Sequence, residues 1–142
     1  MDPHGRRHPS PAVPVRFLVP TRAESLPVLR ALITTLGDQQ DLGVDAVVAL
    51  RLAIDEACTA LIGAAVPGSG LVVAVDPGQH DVRVRLWASC LGEDVLAPGT
   101  FSWHVISSLT QDLATFRGPN SAGRGELFGI TMTAKRSGAS PP

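Results

Sequence analysis

The residues best placed to do chemistry in this 142-residue sequence lie on one stretch with helical periodicity, from about Asp45 to about Ala65. On a helical wheel Val47, Leu50, Ile54, Cys58, Leu61 and Ala65 gather on one side, the side that should cover a core. Roughly opposite lie Ala49, Leu52, Ala53, Glu56, Ala60 and Gly63. Glu56 is thus a lone carboxylate among small and apolar side chains, which suits a helix that lines a pocket or packs closely on a partner. The plainer reading, a solvated Glu on a helix beneath a lid, is the one to prefer on this face alone.

Other groups offer less. Cys58 falls on the core side and reads as a small buried hydrophobe, whereas Cys90, at a strand end, is expected to be more exposed. Trp103 and His104 sit together at the start of a helix and read as an aromatic plug, because no Ser or Cys nucleophile is paired with the histidine by a recognisable motif. Two distant cysteines make neither a disulfide framework nor a metal site, so no metal is expected.

The elements that position these residues follow from periodicity. Val13 to Val19 alternates as a strand until Pro20 stops it, and Thr21 is a candidate helix cap. Leu26, Leu29, Leu32, Ile33 and Leu36 recur at helical spacing up to Gly37, with Pro27 tolerable only in the first turn. After the Asp45 helix, Leu71 to Asp76 and Asp81 to Ala88 form a hairpin around Pro77 and Gly78. Thr100 to about Asp112 reads as a third helix, Leu113 to Phe116 as a short strand and Leu127 to Lys135 as the last one. The order β, α, α, β, β, α, β, β predicts an α/β chain of the α+β two-layer sandwich type. Its mixed, mostly antiparallel sheet is covered on one face by about three helices. One domain spans 13–136, flanked by disordered tails at 1–12 and 137–142.

Composition narrows the class. A formal charge of -1 offers no basic surface for a phosphate backbone, so no direct nucleic-acid partner is expected. No apolar run approaches the roughly 20 residues that span a bilayer, and the start lacks an apolar signal core, which predicts a cytoplasmic protein with no membrane partner.

The run Leu50-Arg51-Leu52-Ala53-Ile54-Asp55-Glu56-Ala57-Cys58-Thr59-Ala60-Leu61-Ile62 resembles the N-box helix of the GHKL (histidine-kinase-like) ATPase superfamily, specifically its RsbW/SpoIIAB anti-sigma factors. Gly125 to Lys135 is similar to the family's closing strand, and Ala97 to Ile106 resembles the second glycine box of an actinobacterial subgroup acting on a sigma-F-like factor. The likeness spans roughly Val13 to Arg136.

In that superfamily the N-box pairs a Glu that activates a nucleophile with an Asn, one turn on, that binds Mg²⁺. Here Glu56 matches, but the Asn position is Ala60, which has no oxygen for a hard cation. The first glycine box, Asp-x-Gly-x-Gly, is replaced by Ser89-Cys90-Leu91-Gly92-Glu93-Asp94. Of the second box only Gly99 remains, with Phe101, Ser102 and Trp103 where side chains would fill phosphate space. The nucleotide-binding positions Glu56, Ala60 and Gly99 are therefore degenerate. ATP and Mg²⁺, cofactors in relatives, are not expected, and Glu56 is a vestigial catalytic candidate more readily explained by packing or partner contact.

The resemblance implies a stress-response regulator that binds and sequesters a sigma-F/sigma-B-like sigma factor as a homodimer and is countered by an anti-anti-sigma (STAS-type) antagonist. In the family the first helix forms part of the dimer and sigma-contacting surface, which points to Arg22, Glu24 and above all Arg30 as partner-binding candidates. The alternative is an ATP-dependent protein serine kinase that phosphorylates the antagonist.

Overall fold

The computed structural model describes residues 13–92, 94–120 and 123–136; the two tails read from sequence fall outside them. The elements are β1 (Val15–Pro20), α1 (Ser25–Gln39), α2 (Val44–Ala64), β2 (Gly70–Pro77), β3 (Asp81–Cys90), α3 (Phe101–Leu109), β4 (Gln111–Pro119) and β5 (Glu126–Lys135), in the expected order. The strands form one five-stranded sheet in the order β1-β2-β3-β5-β4. Every pairing in it is antiparallel, so the sheet is not mixed.

Alternation decides which face the helices cover. Val82, Val84, Leu86, Ala88 and Cys90 of β3 are buried, while Arg83 is exposed and Arg85 and Trp87 are half-buried on the other face. Cys90 is only 2% exposed because β3 runs two residues past the predicted end at Ala88 and its last residue still points to the core. The expectation of an exposed Cys90 is corrected accordingly.

The buried side of α2 carries Val47, Leu50, Ile54, Cys58 and Leu61, as its periodicity predicts, whereas Ala65, read with them, is half-buried because the helix ends at Ala64. Ala53 and Ala57 are equally buried, both at 0%. Ala53 was assigned to the opposite face, but α3 packs along that flank, and a residue without a long side chain lets the two helices approach.

Local chemistry moves several boundaries. Thr21 caps nothing; its Oγ1 donates to the Ser69 carbonyl at 3.0 Å, while the α1 cap position is Glu24, without a side-chain cap bond. Ser25 Oγ instead donates to Pro20 O at 2.7 Å and ties the start of α1 to β1. Pro27 sits in the first turn, where no intrahelical donor is lost. Gly37 does not end α1, which continues to Gln39; a Cβ there would lie 2.5 Å from Val47 Cγ2, so the glycine permits close approach of α2.

The cap position of α2 is Gly43, at φ 84, with Asp45 in the first turn. At α3 the Thr100 hydroxyl accepts from Trp103 N at 3.3 Å, and the helix ends at Leu109, so Asp112 belongs to β4 rather than to a helix. Arg136 closes the open end of the sandwich: its Nε donates to Gly78 O at 2.9 Å, its Nη2 to Gln40 Oε1 at 2.9 Å and its Nη1 to the Gln40 carbonyl. A cation thereby satisfies the last turn of α1 and the β2–β3 turn together.

Candidate functional site

The site grows from the flank of α2 that meets α3. Glu56 lies near the middle of α2, and the antiparallel sheet fixes α3 beside it through the connections to β3 and β4. Capping by Thr100 starts α3 at Phe101, which places Ser102 in its first turn. From there Ser102 Oγ donates to Glu56 Oε2 at 2.7 Å. The carboxylate face that sequence periodicity marks out is thus met by a hydroxyl of this same chain.

The neighbours of Ser102 behave differently from one another. Trp103 is half-buried and packs against the core, beside fully buried Ile106. His104 is exposed and no longer part of a plug. Phe101, expected to fill phosphate space, is 78% exposed and points to solvent, so Ser102 and Trp103 alone occupy the inward positions of that turn. Gly99 keeps the backbone character of a glycine box, with φ 87 and nothing within 4 Å of a Cβ.

The donor set around Glu56 is poor. Ala60, half-buried one turn along α2, presents a methyl group where a metal would need an oxygen. Among the described residues no group of three His, Cys, Asp or Glu comes together. Gly92 follows β3 at φ 91 with open space around it, and Glu93, from the altered first glycine box, lies outside the described residues.

The charged candidates at the other flank of α2 are distributed unevenly. Arg30 lies on α1 and makes a two-pronged ion pair with Asp55 of α2: Nε to Oδ1 at 2.8 Å and Nη2 to Oδ2 at 3.0 Å. This hydrogen bond, then the carboxylate's charge, raises the guanidinium pKa. Arg22 precedes α1, in the turn where its amide donates to Pro20 O at 2.8 Å, and Glu24 sits at the α1 cap position. Arg22 and Glu24 thus sit at the start of α1 and Arg30 within it, tied to Asp55.

Asp55 was missed in the sequence reading, though its place next to Glu56 turns it toward α1 when Glu56 turns toward α3. Ser102 was noticed only as bulk; the signal for its role was the Thr100 cap, which sets the phase of α3. Burial pushes the Cys58 thiol up to about 12 and raises the Cys90 thiol too, so neither is poised as a nucleophile.

No protein-family model matches the sequence. The chain is 46% identical over 129 residues to the anti-sigma-F factor RsbW of two strains of Mycobacterium tuberculosis, a match covering 89% of this chain and 76% of each relative. Among solved structures, the RsbU and RsbW domains of Rv1364c from Mycobacterium tuberculosis are similar, with a TM-score of 0.65 at 15% identity. That match covers 88% of this chain and 33% of the longer one, and at such identity it is a likeness of fold.

Proposed function

The chain belongs to the RsbW family of anti-sigma factors, and we propose that it binds and sequesters a sigma-F/sigma-B-like sigma factor through protein contacts, without using the nucleotide site. The observation that carries this reading is the high identity to anti-sigma-F factors over nearly the whole chain. Sequestration needs no covalent step. It needs a surface that competes with RNA polymerase core for the sigma factor, and every tenfold in relative affinity is about 1.4 kcal/mol.

The same reading includes a homodimer and an anti-anti-sigma antagonist of the STAS type that competes for the anti-sigma factor. Release of the sigma factor is then set by concentrations and relative affinities, since a competitor shifts the balance only as far as its own binding allows. Arg22, Glu24 and Arg30 remain the partner-contact candidates on the α1 side.

The competing reading, an ATP-dependent serine kinase, asks Glu56 to activate a nucleophile beside a metal-held nucleotide. Support for it is thin, because Ala60 lacks the oxygen and Glu56 is already engaged by Ser102. No step through ATP or Mg²⁺ is assigned to this chain.

The test is a calorimetric titration of the purified chain with a sigma-F-like factor, and a second with Mg-ATP. The expected outcome is a sigma complex with Kd below about 1 µM and no saturable nucleotide binding below about 100 µM. A sigma factor that fails to bind at about 10 µM defeats the proposal; micromolar nucleotide binding restores the kinase alternative.

A further inference from the structure

The sheet ends on one side at β1, which among the described residues pairs only with β2. The phase of its hydrogen bonds follows from two contacts at strand ends. Thr21 N donates to Ser69 O at 3.3 Å, continuing the Pro20–Gly70 register, and Gly78 N donates to Asp81 O at 2.7 Å on the other side of β2. Bonding alternates along an antiparallel ladder, so Val15, Phe17 and Val19 turn their N–H and C=O groups toward β2. Arg16 and Leu18 turn theirs out of the sheet.

Proline sets the limits of this open stretch. Pro14 and Pro20 come next in the outward phase, and neither has an N–H to offer. The Pro20 carbonyl is already taken, by Ser25 Oγ at 2.7 Å and by the Arg22 amide at 2.8 Å. What remains is the peptide edge at Arg16 and Leu18, with the Leu18 side chain 73% exposed beside it.

The sequence along that edge selects the occupant. Pro14-Val15-Arg16-Phe17-Leu18-Val19-Pro20 reads proline, valine, a variable residue and phenylalanine from either end. A second copy related by a two-fold axis level with Phe17 and perpendicular to the sheet runs antiparallel to the first. Val15 then lies opposite Val19, Arg16 opposite Leu18 and Pro14 opposite Pro20. Such an axis must be level with a residue rather than between two, because paired residues point to the same face of a sheet. It also puts Arg16 and Leu18 at the hydrogen-bonded positions, where each outward N–H meets a C=O of the second copy. The next such pair would be Pro14 and Pro20, which cannot donate, so the ladder stops where the palindrome does.

The side chains agree with this register. Val15, Phe17 and Val19 are half-buried on the helix side, where Phe17 and Val19 pack against the core, and the same residues of the second copy would prolong that apolar row. On the open side Arg16 faces Leu18 of the second copy, so no like charges meet.

We infer that β1 is a self-association edge: two copies pair their β1 strands about Phe17 and join their five-stranded sheets into one. The inference rests on the homodimer of the proposed function and supplies its contact. The pairing uses up the edge in both copies, which closes the assembly at two. So short a strand pair is smaller than a standard interface, which predicts a Kd of about 1–100 µM.

The test is sedimentation of the full chain and its variants up to about 500 µM, alongside thermal melts and sigma-binding titrations. Leu18→Pro removes an outward donor without touching the β1–β2 ladder, and should weaken self-association about tenfold or more with an unchanged melt. Leu18→Arg sets like charges opposite each other and should weaken it too, whereas Leu18→Glu faces Arg16 and should hold or tighten it. Adding Arg16→Glu to Leu18→Arg should restore it. Where Leu18→Pro melts early, this charge series decides alone. Self-association within twofold of the parent for Leu18→Arg overturns the inference and leaves the homodimer on another surface; equal losses for Leu18→Arg and Leu18→Glu overturn the register and the inference with it. A parent that stays monomeric at about 500 µM removes both the inference and the homodimer. Unchanged self-association with lost sigma binding assigns the edge to the sigma factor and likewise overturns the inference.

Discussion

Ser102 Oγ and Glu56 Oε2 lie 2.7 Å apart, joining the first turn of α3 to the middle of α2. A carboxylate that accepts from a neighbour's hydroxyl has a partner inside the chain, and the helix bearing that hydroxyl is fixed against it. The contact therefore does for packing what a substrate hydroxyl would do for catalysis.

Removing it should cost stability and not partner affinity. Ser102→Ala is expected to lower stability by about 1 kcal/mol, since the bond is charge-assisted but only partly buried. Glu56→Gln keeps an acceptor and should cost less. In urea titrations both variants should shift the midpoint with an unchanged slope, and sigma affinity should stay within about twofold. A collapse of affinity with normal melting would instead place Glu56 in the contact surface.

Arg30 is tied to Asp55, so the test of its partner role must respect that bond. Arg30→Glu would set two carboxylates against each other and loosen α1 from α2, confusing folding with binding. Arg30→Gln and Asp55→Asn, singly and together, separate the effects. If Arg30 serves only the helix pair, the double variant binds sigma factor as well as the parent and its melting loses salt sensitivity. If Arg30 also meets the partner, Arg30→Gln weakens binding and Asp55→Asn alone does not.

Much of the fold was legible because its signals are periodic. Helical spacing in α2 names a buried face from one-dimensional information, and Val47, Leu50, Ile54, Cys58 and Leu61 are buried as read, although Ala53, placed opposite them, is buried too. What was hidden depends on contacts distant in sequence. Gly37 looked like a helix end, yet its freedom is used for Val47 of the next helix; Thr21 looked like a cap, yet it bonds Ser69. The site was half legible for the same reason. Glu56 and Ala60 could be seen on one helix, whereas Ser102, 46 residues away, is brought to Glu56 only by the way α3 packs on α2.

Cys58 offers a pH test with few competing groups. Its pKa rises to about 12 from an ordinary 9.0, first by burial and then by the charge of Asp55. The folded state therefore binds the thiol proton more tightly than the unfolded state does. The stability this gives is complete below about pH 9 and falls as pH rises toward 12, by about 1.4 kcal/mol per unit. The sequence has no tyrosine, and Lys135 is its one lysine, so Cys90, whose thiol burial also raises, is the main other group to titrate in that window. Urea midpoints between pH 8 and 10.5 should fall for the parent, and fall less steeply for Cys58→Ala. In native protein near neutral pH neither cysteine should react with a thiol reagent; both should on unfolding.

Two glycines separate backbone strain from steric exclusion. Gly99 and Gly125 both have φ in the left-handed region, 87 and 80. Around Gly99 a Cβ meets nothing within 4 Å, so Gly99→Ala should cost only the conformational strain, about 1 kcal/mol. A Cβ on Gly125 would collide with the carbonyl oxygen of Cys90, and that strand end cannot yield cheaply because Cys90 pairs with Glu126 across β3 and β5. Gly125→Ala should therefore cost about 3 kcal/mol or more, the sum of strain and a displaced strand pair. Denaturant titration of the two variants side by side checks the difference. Equal losses would mean that the β5 end shifts freely, and that the turn before it is held by something other than the Cys90 backbone.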